Sequence, residues 1–206
     1  MNLDYTVFEK INHLAASAPM FNPIMKFLAE DAQYILILGV IVYWFIRVES
    51  NRRMITEVLL AACMGVGISA VLGHFLYRDR PFVSHHVIQL IAHPANASFP
   101  SDHATLAFAV SAAIWGYRKK EGAIWLALSA LIAVSRVWTG VHYPTDVIAG
   151  AALGIGLAAF VHLIFRKFKL MQALQTLAIQ VYERFEIKVW PKPASDKPSS
   201  RAQITR

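Results

Sequence analysis

The sequence predicts an all-α bundle of about five transmembrane helices, and two observations carry that reading. Apolar residues make up 56% of the 206-residue chain and charged residues only 16%, far below the roughly 25% charge of a soluble domain. The charges are also clustered, leaving runs of about 20 residues nearly free of them, the length needed to cross a hydrocarbon layer. A soluble core of this size could not hide that much apolar surface.

Taken in order, the expected spans lie at roughly 27–46, 55–76, 104–117, 123–138 and 145–165. The third is short and reaches spanning length only if it begins around Pro100. Before the spans, residues 1–30 carry apolar positions at helical spacing, interrupted by Pro19 and Pro23, and read as one or two interfacial helices, with an additional short span as the alternative. No charged-then-apolar leader pattern is present in residues 1–14. Residues 166–190 read as an amphipathic basic helix suited to an anionic leaflet. The Pro-, Ser- and charge-rich stretch 191–206 has little to bury and reads as a disordered cytoplasmic tail. The whole of 1–190 is expected to be one membrane domain, with 27–165 as its transmembrane core. Its partners are membrane lipids. The net charge of +7 does not signal nucleic acid, because the basic residues sit in short clusters between apolar runs. The lone Cys63, inside an apolar run, allows no intrachain disulfide or Cys metal cluster and reads as a small packed residue.

Loop charge sets the orientation. Arg47, Arg52 and Arg53 separate the first two spans, Arg118, Lys119 and Lys120 the third and fourth, and Arg166, Lys167 and Lys169 follow the fifth. All three clusters fall on one side, which the positive-inside rule makes cytoplasmic. Residues 77–100 and 139–143 then face outward.

Three polar segments converge on that outward face: Arg78-Asp79-Arg80-Pro81, Pro100-Ser101-Asp102-His103, and Ser135-Arg136 with His142-Tyr143-Pro144-Thr145-Asp146. Arg80 and Arg136 offer planar forks that match phosphate oxygens. Ser101 stands where a helix begins, and the unpaired N–H groups and dipole of a helix start favour an anion. Asp146, four residues after His142, can reach one ring nitrogen and stabilise the ring as it becomes positive. His103 supplies a second imidazole for proton transfer. Taken singly, Arg136 reads as a snorkelling arginine and Ser101 as an ordinary cap. Their shared face and spacing argue for chemistry instead. His85, His86 and His93 read as solvated loop residues, without metal-ligand spacing. His74 and His162 read as helix-packing residues, and Gly65, Gly67, Ser69 and Ala70 as a close-packing strip.

The spacing Ser135-Arg136-x5-His142-x3-Asp146, with Pro-Ser-Asp-His and Arg-Pro upstream, resembles the type 2 phosphatidic acid phosphatase superfamily. Within it, residues 93–103 (HPANASFPSDH) look like the bacterial undecaprenyl-diphosphate phosphatases linked to bacitracin resistance. The resemblance implies a lipid phosphatase acting on a polyprenyl diphosphate, with no cofactor and no metal. It implies His142 as nucleophile, Asp146 as its orienting acid and His103 as the proton donor to the leaving group. Arg80, Arg136 and Ser101 would hold the phosphoryl oxygens. Two positions depart from the pattern. The Lys that often stands seven residues before the motif arginine is Gly73 here, leaving open whether Arg78 takes its place. Asp102 stands where Gly is more frequent, and a carboxylate there repels phosphate unless it turns away or pairs with an arginine. A phosphatidylglycerophosphate phosphatase, a vanadate-dependent haloperoxidase and a non-enzymatic lipid-phosphate binder are the alternatives. The membrane spans speak against the second and the His142–Asp146 pair against the third.

Overall fold

The structure, a computed structural model, describes residues 3–190; the tail expected to be disordered lies outside the described residues. Among them the secondary structure is entirely helical. The helices are α1 (Leu3–Ser17), α2 (Asn22–Glu30), α3 (Ala32–Phe45), α4 (Glu49–Phe75), α5 (Pro81–Ser84), α6 (Asp102–Tyr117), α7 (Lys119–Trp138), α8 (Pro144–Lys167) and α9 (Lys169–Val189), with a single 3-10 turn at Pro19–Phe21.

Among the described residues three helices, α4, α7 and α8, are long and apolar enough to cross a membrane. The first and third expected spans come out differently. Residues 27–46 are divided between α2 and α3 at Asp31, whose N–H still bonds to Phe27 O at 2.8 Å. The break falls at the adjacent carboxylates Glu30 and Asp31, which are costly to carry into hydrocarbon. The third begins only at Asp102 and runs 16 residues, about 24 Å at 1.5 Å per residue. It tolerates this shortness because α4, α7 and α8 pack around it, so its ends meet protein.

Small side chains make α6 the centre. Its buried positions include Ala104, Thr105, Ala107, Ala109, Ser111 and Ala113. Ser111 and Ser129 share a 2.7 Å hydrogen bond across to α7. On α8, a Cβ at Gly150 would stand 2.6 Å from Ser101 O and one at Gly154 would stand 2.4 Å from Thr105 O. Only glycine permits this approach, and it sets the start of α6 beside the start of α8. In the strip on α4, Gly65 and Ser69 are buried, whereas Gly67 and Ala70 face outward, as does Cys63. Helical geometry places i and i+4 on one face and excludes the others.

The two ends of the bundle differ. At one end the three basic loops meet. Arg118 Nη2 donates to Asn51 Oδ1 at 2.6 Å, Arg52 reaches Glu183 and Glu186 of α9, and Arg53 donates to Gln175 and Thr176. A buried carboxylate that the sequence pattern did not flag, Glu57, accepts from Tyr117 and lies 2.8 Å from His162 Nδ1. His162 is thus a polar partner of Glu57 within the bundle as well as a packing residue against Tyr117. At the other end, α1, the 3-10 turn and α2 cover the bundle. Asn12 Nδ2 donates to Ile88 O at 2.8 Å and Trp138 O at 2.9 Å, and Trp138 Nε1 donates to Asn22 Oδ1 at 2.9 Å.

Candidate active site

The end beneath α1 and α2 gathers the predicted residues. Arg80 precedes Pro81, which opens α5, and Pro144 opens α8 just after His142. Between α7 and α8 the chain turns at Gly140, whose φ of +82° suits glycine and brings it against Ile88 O. The turn points His142 inward, and its side chain is buried.

Arg80 Nη1 lies 3.0 Å from His142 Nε2. A guanidinium can only donate, so Nε2 carries the lone pair and the ring proton sits on Nδ1. That nitrogen faces Ser98 Oγ at 3.4 Å and Asp146 Oδ2 at 3.6 Å. Asp146 therefore reaches back to His142 as expected, but beyond hydrogen-bond length. The Ser98 hydroxyl stands alongside, donating to Asp146 Oδ2 at 2.5 Å. Tyr143 N–H donates to the same oxygen at 2.9 Å. Burial, then the cations of Arg136 and Arg80, hold the His142 imidazolium back to a pKa of about 4, so the ring is neutral at neutral pH.

Arg80 is fixed by neutral acceptors: Val141 O at 2.9 Å, Ala97 O at 3.1 Å and Asn96 Oδ1 at 3.0 Å. Arg136 donates from Nη1 to Ala29 O at 2.7 Å, while its Nε and Nη2 are buried without a hydrogen-bond partner. Unpaired buried guanidinium nitrogens are costly unless an anion meets them. Ser101 caps α6, accepting from Ala104 N at 3.5 Å and donating its own N–H to Asp146 O at 3.0 Å. His103, half-buried in the first turn of α6, has Arg136, His142, His93 and Arg80 as electrostatic neighbours. Asp102 is turned toward α4, where it accepts from the Ser69 hydroxyl. Arg78 contacts Asp146 and Asp4. The six predicted residues thus gather in one cluster.

Two members escaped the sequence reading. Ser98 is fully buried and was visible only as a serine three residues before Ser101. His93, read as a solvated loop residue, brings its ring centroid to 6.3 Å from that of His142. Burial lowers its pKa, and the cations of Arg80 and Arg136 add to the effect. Nδ1 of His93 lies 3.1 Å from Pro94 O, the contact expected of an N–H donor. Among the described residues no group of histidines, cysteines and carboxylates is placed to hold a metal ion.

A buried neutral histidine, a carboxylate behind it and two arginines without carboxylate partners thus lie together at one end of the bundle, an arrangement able to accept an anion. The chain belongs to the PAP2 superfamily, whose profile matches residues 54–170, and is by that kinship a membrane lipid phosphatase. Among curated proteins it is 36% identical to the "Bacitracin transport permease protein BcrC" of Bacillus licheniformis, over 98% of this chain and 97% of that one. It is 31% identical to the "Undecaprenyl-diphosphatase BcrC" of Bacillus subtilis (strain 168), over 93% and 97%. Against the "Putative undecaprenyl-diphosphatase YbjG" of Escherichia coli (strain K12), identity is 32% over 85% and 90%. The crystal structure of Aquifex aeolicus LpxE superposes with a TM-score of 0.64 at 26% identity, covering 78% of this chain and 95% of that one. A PAP2 type phosphatidylglycerolphosphate phosphatase from Bacillus subtilis shares the fold, with a TM-score of 0.61 at 22% identity over 82% and 89%.

Proposed function

We propose that this protein hydrolyses a polyprenyl diphosphate, undecaprenyl diphosphate foremost, to the monophosphate and inorganic phosphate at the outward face of the bacterial cell membrane. This activity would return carrier lipid to cell-wall synthesis and support bacitracin resistance. The observation that carries the reading is the buried His142 ring, with Nε2 against Arg80 at 3.0 Å and Nδ1 facing Ser98 and Asp146. Of two curated relatives, one bears a permease name and the other a diphosphatase name. A buried imidazole with its lone pair turned to an arginine and its proton to a carboxylate supports the second name.

The chemistry follows from that tautomer. The Nε2 lone pair attacks the terminal phosphorus, and the bond from phosphorus to the bridging oxygen breaks. His103 gives a proton to the departing prenyl monophosphate, and the ring, now phosphorylated and positive, is stabilised by Asp146. Water then attacks the phosphohistidine with His103 taking its proton, the P–N bond breaks and phosphate leaves. Arg80, Arg136 and Ser101, at the start of α6, hold the phosphoryl oxygens as charge shifts onto them. The arginines supply the positive charge, so the step needs no metal or cofactor.

An apolar cavity of about 340 Å³ between α3, α4 and α6 supports a lipid substrate. His103 is one of its lining residues, with Leu36, Ile37, Val40, Leu59 and Leu106. A prenyl tail lying there would bring its phosphate to the acid on the leaving-group side. The basic loops at the far end support an outward site and a cytoplasmic C-terminus. The exposed stripe Leu170, Leu174, Leu177, Val181 and Phe185 on α9 supports its lying on the inner leaflet.

The deciding experiment measures phosphate release in detergent from a prenyl diphosphate, a prenyl monophosphate, phosphatidylglycerophosphate and phosphatidic acid. The diphosphate is expected to have the highest kcat/KM, and EDTA is expected to leave turnover unchanged. Higher turnover of phosphatidylglycerophosphate would move the assignment to that substrate. Loss with EDTA that added metal restores would overturn the metal-free mechanism. A prenyl monophosphate leaves a diphosphate as a phosphate with a second pKa of about 6. Cleaving the monophosphate expels an alkoxide whose conjugate acid, like water, lies near ~15.7. His103→Ala should therefore slow monophosphate hydrolysis far more than diphosphate hydrolysis, within the roughly 10²–10⁴-fold scale of general acid catalysis. Equal losses on both would remove the acid role.

A further inference from the structure

The vacant lysine slot leads to a residue with no assigned role. Position 73 is glycine, and a Cβ there would meet Ala97 Cβ and Phe99 O at 3.4 Å. The nearest following cation is Arg78, and its contacts run to the back of the site. Nη1 donates to Asp146 Oδ1 at 3.0 Å and to Thr145 Oγ1 at 2.8 Å. Nη2 donates to Asp4 Oδ2 of α1 at 2.6 Å, and the guanidinium lies over the Tyr143 ring at 3.7 Å. Asp4 also accepts from the Thr145 N–H at 3.0 Å, tying α1 to the first turn of α8.

We propose that Arg78 is a positioning residue that keeps Asp146 ionised and aimed at His142, and that Asp4 of α1 locks Arg78 in place. Asp146 is fully buried. Its Oδ2 is occupied by Ser98 and Tyr143 N–H, and Arg78 is the cation bonded to its Oδ1. The other charged or titratable groups around it are His142 at 3.6 Å, Arg80 behind that ring, the Tyr143 phenol, and Asp4 beyond Arg78. A buried carboxylate stripped of its bonded cation takes up a proton more readily. A protonated Asp146 could not stabilise the positive ring formed when His142 accepts phosphate. Arg78 thus acts through Asp146 and does not touch the phosphate, and the covering helix α1 becomes part of the catalytic support.

This inference rests on the phosphatase reading. Its test uses the full-length protein in detergent with a prenyl diphosphate, and wild type and His142→Ala as references. Arg78→Ala is expected to lower kcat by about 10- to 100-fold, the scale of losing a group that orients a catalytic ligand. KM and inhibition by inorganic phosphate should stay within about twofold, because uniform phosphate binding is untouched. The acidic limb of kcat should move to higher pH, since Asp146 now protonates earlier on acidification. Arg78→Lys should restore that limb and part of kcat. Asp4→Asn should shift the limb the same way with a smaller loss, and it carries the test if Arg78→Ala does not insert. A large rise in KM and in the phosphate inhibition constant at unchanged kcat would make Arg78 the phosphate ligand that replaces the absent lysine, overturning the proposal. Unchanged kcat and pH profile in Arg78→Ala, or in Asp4→Asn where that variant carries the test, would also overturn it. A wild-type protein that releases no phosphate would instead overturn the function itself.

Discussion

The two ends of the bundle each bury an arginine, and they treat it in opposite ways. At the basic end Arg52 lies between two carboxylates of α9, Glu183 at 2.7 Å and Glu186 at 2.5 Å, with Trp44 and Tyr182 beside its guanidinium. At the site end Arg136 has one carbonyl, Ala29 O, and two buried nitrogens without a hydrogen-bond partner. Arg80 likewise bonds to carbonyls, an amide and a histidine. An arginine matched by carboxylates is neutralised and holds elements together. One matched by neutral acceptors is held in place with its charge left over, and that remainder is available to an anion. The contrast separates structure from function better than burial does, because Arg52 and Arg136 are almost equally buried.

The largest expected effect belongs to the proposed nucleophile. His142→Ala should cost about 10⁴-fold or more in turnover, the scale of losing a member of a catalytic triad, while the protein still inserts and keeps its melting temperature. Near-normal phosphate release from this variant would sink the covalent mechanism.

A paired substitution tests the comparison itself. Arg136→Met should lower kcat/KM by about 10²–10³-fold, as for removal of a transition-state donor, and leave the melting temperature unchanged or raised, since it removes an uncompensated buried charge. Arg52→Met should do the reverse. It leaves Glu186 with Arg47 as its remaining cation at 3.2 Å and lowers stability by less than the ~3–5 kcal/mol of a fully broken buried pair, with kcat/KM of the folded fraction unchanged. Thermal melting and turnover on the same preparations decide; parallel losses in both variants would break the distinction.

The smallest effect is on pH. With the His142 pKa lowered to about 4, the reactive neutral ring persists as pH falls through the ordinary histidine range near 6.5. The acidic limb of kcat/KM assignable to the free enzyme should then lie well below 6.5. The sign for stability is opposite to that of a paired carboxylate's histidine. The unfolded state takes up a proton that the folded state refuses, so stability contributed by His142 falls as pH drops from about 6.5 toward 4. Melting temperatures from pH 7 to 4.5 should decline less in His142→Gln than in wild type.

Much of this molecule was legible beforehand. Long apolar runs required helices in a membrane, and loop charges required three loops at one end, where Arg118 indeed meets Asn51 and α9 meets Arg52 and Arg53. Because alternate spans reverse direction, the same constraint carried Arg80, Ser101, His103, Arg136, His142 and Asp146 to the other end. Periodicity and charge act locally along the chain, so sequence alone determines them. It could not decide where residues 27–46 would break, nor that α6 could be short because neighbours enclose it. Side-chain partnerships across the bundle belonged to the tertiary structure. Ser98 beside His142, His93 entering the site, Glu57 meeting His162, and Arg78 reaching from Asp4 to Asp146 link residues 44 to 105 positions apart. No local pattern encodes such contacts. They depend on how closely α8 approaches α6 at Gly150 and Gly154, and on the turn at Gly140, which together set the distances over which these hydrogen bonds form.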